Sequence, residues 1–221
     1  MSESWIAAAR EVLEAEREAI LATHDGLGDS FIRAVQMLLD CKGKTVCTGV
    51  GKSGHIARKA AATLASTGTP AFYMHPTEAG HGDVGVLSSG DVMLALSHSG
   101  ESREVLDLLP AARRKEASII AICGSGESSL AREAAVALVV RVEKEACPLN
   151  LAPTASSTAA LALTDALAVA LFRRADSPPK ISRVHILREH WDGDCCCAFP
   201  MSCGVMTTFP LLVLIVLSPR R

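Results

Sequence analysis

Short apolar runs alternate along this chain with longer segments in which apolar residues return every three or four positions. The runs Thr45 to Thr48, Ala71 to Met74, Val92 to Leu96, Ser118 to Cys123 and Ala137 to Val142 predict five strands. Gly54 to Ser66, Ser102 to Glu116, Leu130 to Ala134 and Thr154 to Phe172 predict the helices that alternate with them. Ahead of the first strand, Ile6, Val12, Leu13, Ile20 and Leu21 recur among Glu and Arg, an amphipathic helix from Ser4 to Thr23 closed by the Asp25-Gly26 turn. A second helix is expected from Asp29, read as its N-cap, to about Cys41. Strands alternating with helices predict parallel crossovers, hence an α/β fold: a three-layer αβα sandwich around a five-stranded parallel sheet. In such sheets ligands bind outside the carboxyl ends of the strands, so the loops there are where chemistry belongs.

Composition narrows the function classes. The 221 residues are 49% hydrophobic and 21% charged, enough for one full core and one or at most two domains, which excludes disorder as the main state. Lys plus Arg number 22 against 24 Asp plus Glu, a formal charge of −2, so no basic field draws nucleic acid or an anionic membrane. The N-terminus is charged every few residues and lacks the basic-then-apolar layout of a signal peptide, so a cytoplasmic protein with reduced thiols is expected. The eight cysteines then form no disulfide framework. Cys41, Cys47, Cys123 and Cys147 are scattered, whereas Cys195, Cys196, Cys197 and Cys203 crowd the tail.

Four loops carry candidate chemistry. Gly49-Val50-Gly51-Lys52-Ser53-Gly54 follows the first strand and opens a helix: glycines let backbone amides approach a ligand, the helix start favours an anion, and Lys52 adds a positive charge. A phosphate-bearing ligand is the natural reading. The loop also satisfies the dinucleotide fingerprint, but the second strand ends in Tyr73-Met74-His75-Pro76 without the acidic residue a ribose needs. A Walker loop fails because Val46 stands where its first glycine belongs. The blander alternative is a glycine turn that only packs helix on strand. The third strand ends in Ser97-His98-Ser99-Gly100-Glu101-Ser102, a second anion cradle or a plain capping sequence, with Glu104 within reach as a base. A third hydroxyl-rich helix start, Pro153 to Thr158, follows Glu143-Lys144-Glu145-Ala146-Cys147-Pro148. Cys147 lacks a supporting His and Asn arrangement and reads as a buried structural thiol rather than a nucleophile. His75 to Asp83 is dense in titratable groups, but its spacing matches no zinc pattern, so it reads as a substrate-contacting loop and not a metal site.

These residues together resemble the D-arabinose 5-phosphate isomerases, enzymes built on the sugar isomerase (SIS) domain. The likeness rests on Gly49 to His55, Leu64 to Ala71, Gly82-Asp83, Ser97 to Glu104, and Glu145 through Thr154, and runs from about residue 10 to Arg174. It implies a five-stranded SIS fold, a homotetramer, no cofactor, and interconversion of D-ribulose 5-phosphate and D-arabinose 5-phosphate, the first step toward the octulosonate sugar (Kdo) of lipopolysaccharide. By the same resemblance Lys52, Glu104 and Glu145 occupy three of four active-site positions. Glu104 or Glu145 is the expected base and Lys52 the electrostatic stabiliser. Gly49, Gly51 and Ser53 are expected to line the substrate site, Ser97, Ser99, Thr154 and Ser156 to hold the phosphate, and His75 and His81 to lie near the sugar. Gly80 departs from the family, which commonly has a larger apolar residue there. The alternative is an SIS protein that binds a phosphosugar without catalysis.

The tail departs most. The resemblance implies a segment carrying the fourth catalytic residue, a histidine, and then a pair of cystathionine β-synthase (CBS) repeats; neither follows Arg174. Read with the last base of each codon joined to the first two of the next, codons for Pro178 through Cys197 can encode that missing segment, and the single codon of Trp191 followed by Asp192 forces one of its glycines. The expectation is a one-base shift of frame near Arg173 or Arg174, with an SIS domain over residues 1–174 and a non-native tail over residues 175–221 that adds little to the core. Turnover weakened by the lost histidine is expected with it.

Overall fold

The computed structural model describes residues 2–174; the expectations for the tail lie outside the described residues. The apolar runs become β1 (Thr45–Gly49), β2 (Ala71–Met74), β3 (Val92–Leu96), β4 (Ser118–Cys123) and β5 (Val136–Val139), all parallel, in the order β2-β1-β3-β4-β5. Every residue of β1 and β3 is buried, as in a sheet covered on both faces. Successive strand residues point to opposite faces, and this divides the core in two. Val92, Leu94, Leu96, Ile120 and Ile122 pack with α1 (Ser2–Asp25), α2 (Asp29–Asp40), α3 (Gly51–Ser66) and α8 (Ala155–Arg174). Met93, Ala95, Ile119 and Ala121 pack with Ala79 of α4 (Pro76–Gly80), Val105 of α5 (Arg103–Leu106), Ala112 of α6 (Leu109–Arg114) and Leu130 of α7 (Ser129–Glu133). The predicted three layers are therefore present. α3 and α5 leave neighbouring strands β1 and β3 toward opposite faces, which opens a crevice at their carboxyl ends.

Several boundaries differ from the sequence reading, each for a local reason. The helix expected from Ser102 to Glu116 is two short helices, because Pro110 lacks the N–H that would continue the ladder from α5. β5 ends at Val139 rather than Val142, where its pairing with Cys123 of β4 ends. Gly28, not Asp29, is the N-cap of α2, and Asp29 is its first helical residue. The loop from His75 to Asp83 contains α4, started by Pro76, and a 3-10 turn follows at Asp83–Val86. α8 is long and apolar enough by composition to cross a membrane, but it lies against α1, α2 and α3 and buries Ala159, Leu163, Leu167, Ala168 and Leu171.

At the opposite end of the sheet, Asp91 ties the starts of β1 and β3 together. Its buried carboxylate accepts from Lys44 N (2.9 Å), Lys44 Nζ (2.7 Å) and Ser88 N (2.8 Å). A side chain on Gly43 would collide with it. Burial pushes the Asp91 carboxyl up, but the hydrogen bonds from Lys44 and Ser88 outweigh it and hold the group below its ordinary value. Asp91→Ala strands these donors and is expected to cost about 3 kcal/mol in urea unfolding at pH 7. Because the folded pKa is depressed, this advantage is full above the unfolded value of about 3.9 and is lost as pH falls through the lower folded value. A native-to-variant gap that did not narrow in acid would contradict this assignment.

Candidate active site

The crevice between β1 and β3 holds a small cleft, lined by Lys52 and Ser53 from α3, Ser97 and His98 after β3, and Ser156 and Ser157 from α8. Its floor is apolar: Leu96, Ile122, Cys123 and Val140 close it from the ends of β3, β4 and β5. Polar groups thus ring an apolar bottom, the usual build of a small-molecule site. Residues from five segments spread along the chain meet here, as the parallel topology requires.

The glycine loop packs α3 closely on β1. A Cβ on Gly54 would stand 2.7 Å from Gly49 O, and one on Gly49 would stand 2.9 Å from Leu96 O. Gly54 N already donates to Val50 O at 3.1 Å. Gly51 has φ +56, the left-handed conformation that lets the chain turn from strand to helix. The turn delivers Lys52 to the cavity rim, exposed and in no salt bridge among the described residues.

After β3 the hydroxyls organise their own loop. Ser97 Oγ accepts from Gly100 N (3.1 Å) and pairs with Ser102 Oγ (2.9 Å), while Ser99 Oγ accepts from Glu101 N (3.2 Å). Glu101 in turn accepts from Ser129 N (2.8 Å), which fastens the loop to α7. Ser97 is buried and faces the cavity, whereas Ser99 is exposed and does not line it.

At the third helix start, Glu145 reaches the N-terminus of α8. Its Oε2 accepts from Thr154 N (2.8 Å), Thr154 Oγ1 (3.0 Å) and Ser156 N (3.3 Å). Burial pushes the Glu145 carboxyl up, but the donors of Ser156 and Thr154 outweigh it and keep the group below its ordinary value. Asn150 Oδ1 accepts from Glu145 N at 2.7 Å and Thr154 Oγ1 from Ala146 N at 2.9 Å, so the loop is fixed at both ends. Ser156 is buried and faces the cavity, with its hydroxyl beside the Glu145 carboxylate.

Of the residues read from sequence, Lys52, Ser53, Ser97 and Ser156 thus line one cavity, and Thr154 and Glu145 stand behind Ser156. Gly49 and Gly51 shape its edge. Glu104 is exposed in the first turn of α5 and does not line the cavity. His75 accepts from Thr77 N (3.3 Å) and caps α4, its ring edge-on to Tyr73, and His81 is exposed at the end of the same helix. Neither lines the cavity. Two residues went unassigned in the sequence: His98, whose imidazole was legible in the loop, and Ser157, which gave no signal beyond the hydroxyl-rich run. Cys147 corrects the buried-thiol expectation: it is half-buried, and the backbone amides of Ala152, Leu151 and Leu149 lower its pKa. Cys47, by contrast, is sealed in the core, and burial pushes its thiol up to about 12. Among the described residues no three His, Cys, Asp or Glu side chains converge as a metal site would require.

Comparison with known proteins locates this arrangement. A family model described as SIS domain matches residues 37–170. The chain is 52% identical over 166 residues to arabinose 5-phosphate isomerase KdsD of Escherichia coli K12, covering 75% of this chain and 51% of that protein. It is 50% identical over 167 residues to the protein of the same name from Pseudomonas aeruginosa, again covering 51% of that protein. The chain therefore spans about half the length of the curated relatives it matches. A solved structure of an E. coli CFT073 protein in complex with arabinose 5-phosphate superposes with a TM-score of 0.76 at 40% identity, covering 78% of this chain and 92% of that one.

Proposed function

This chain belongs to the SIS-domain family, and on that premise we propose that it is an aldose–ketose isomerase interconverting D-ribulose 5-phosphate and D-arabinose 5-phosphate. The observation that carries the reading is the cavity at the β1/β3 crevice, where Lys52, Ser97 and Ser156 converge beside the Glu145-capped start of α8. The 52% identity to arabinose 5-phosphate isomerases supports the choice of substrate.

Hydroxyls of Ser97 and Ser156 hold the phosphate from the cavity with Ser53 beside them, while Ser99 and Thr154, which do not line it, organise the loops that present them. Isomerisation moves a carbonyl between C1 and C2, so a base must take a carbon-bound proton and a cation must stabilise the enediolate. Lys52 is that cation. Glu104 is the better base: Glu145 spends an oxygen on three donors, which stabilises its anion and weakens it as a proton acceptor. Glu145 positions Thr154 and Ser156 instead. His75 and His81 contact the sugar on the strength of the family resemblance. The enzyme works in the cytoplasm as a homotetramer, a reading supported by the apolar side chains of Trp5, Ile6, Leu13 and Ile32 that one subunit leaves exposed. Its product enters Kdo and lipopolysaccharide synthesis.

Calorimetry with arabinose 5-phosphate beside a coupled isomerase assay tests the reading. Binding with turnover is expected; binding without turnover selects the non-catalytic phosphosugar-binding SIS protein.

A further inference from the structure

His98 is the histidine, among the described residues, that lines the cavity holding Lys52, Ser97 and Ser156. It stands at the carboxyl end of β3, the central strand of the sheet, directly after the buried Ser97. Its main chain is locked to the end of β4, where Gly124 N donates to His98 O at 2.8 Å. Its ring occupies the space a side chain at position 124 would fill: a Cβ there would stand 2.7 Å from Cε1 and 3.1 Å from Nδ1. Gly124 thus leaves room for the imidazole at the rim. Neither ring nitrogen has a hydrogen-bond partner among the described residues. Lysine and serine side chains exchange protons poorly near neutral pH, Glu104 is already committed as the base at carbon, and Glu145 Oε2 is engaged by Thr154 and Ser156. The imidazole is the lining group suited to both accept and give a proton near neutrality.

Building on the isomerase reading above, we infer that His98 carries the proton between the two substrate oxygens. The base takes the C2 proton of the aldose; that C–H electron pair becomes the C1=C2 bond, and the carbonyl pair moves onto O1 as an oxyanion beside Lys52. The neutral ring accepts the O2 hydroxyl proton and delivers a proton to O1, so the negative charge passes to O2. The O2 pair then forms C2=O2 while the C1=C2 pair takes the base's proton at C1. Ring and base finish as they began, and nothing is oxidised. The expectation of weakened turnover counted an imidazole only in the missing tail segment; His98 supplies one from within the domain.

The experiment compares the full chain with His98→Gln and His98→Asn, following turnover, arabinose 5-phosphate binding by calorimetry, and deuterium exchange at C2 in heavy water. Both variants are expected to lose about 10²- to 10⁴-fold in kcat. Binding should stay within about threefold, and C2 exchange should exceed isomerisation, because the enediolate still forms and returns its carbon proton without moving the carbonyl. Turnover within about threefold of native would overturn the assignment while leaving the isomerase reading intact. Loss of binding in step with turnover would make His98 a binding contact and overturn its proton-carrying role. A native chain that binds the sugar but neither exchanges C2 nor isomerises would overturn the isomerase reading, and this inference with it.

Discussion

Replacing Lys52 with methionine is expected to lower kcat/KM by about 10²- to 10³-fold, the loss typical when one preorganised donor to a developing oxyanion is removed. The melting temperature should hold or rise slightly. Lys52 sits in the first turn of α3, where the helix dipole disfavours a cation, and it makes no salt bridge among the described residues that could offset this. Its charge therefore costs a few tenths of a kcal/mol locally. A charge kept at a local cost on a cavity rim serves a ligand. The coupled assay and a thermal melt measure both sides of this claim, and Lys52→Arg should recover part of the rate. A large drop in melting temperature would mean that Lys52 holds the fold instead.

The two candidate carboxylates should separate in a second comparison. Glu104→Gln is expected to reduce kcat by about 10²- to 10⁴-fold, the range for a lost general base, with no change in urea midpoint. Glu104 is exposed in α5 and accepts no hydrogen bond among the described residues, so the amide disturbs no packing. Glu145→Gln should reduce both rate and stability, because Oε2 is the anion that satisfies Thr154 N, Thr154 Oγ1 and Ser156 N at the start of a 20-residue helix. Loss of such a cap costs about 1 to 2 kcal/mol. The folded pKa of Glu145 is depressed, so its stabilisation is complete above the unfolded value of about 4.3 and fades as pH falls through the lower folded value. The stability gap between native protein and Glu145→Gln should therefore close in acid. If Glu104→Gln retained native turnover while Glu145→Gln lost it without loss of stability, the two roles would be reversed.

The layers and the strand count were legible in the sequence because a parallel sheet buried on both faces writes itself as uninterrupted apolar runs. β2, β3 and β4 begin and end where their runs do, and Lys52, Ser97 and Ser156 were found because hydroxyls and a lysine at strand-to-helix junctions have few other uses. α4 and the break at Pro110 were not legible, since helices of four to six residues are too short to set up a period. Proximity escaped as well. Nothing in the spacing of His98, Gly124 and Ser156 says that the first leans on the second and shares a cavity with the third; that follows only from the strand order, which brings the ends of β1, β3 and β4 side by side. Sequence by itself thus determined which residues form strands and which chemistry the loops offer, because both are written in local pattern. Only the tertiary structure decided that Glu145 accepts from the start of α8, that Gly49 and Gly54 sit in close contact between strand and helix, and that His98 faces the cavity, because each depends on contacts that local pattern does not fix.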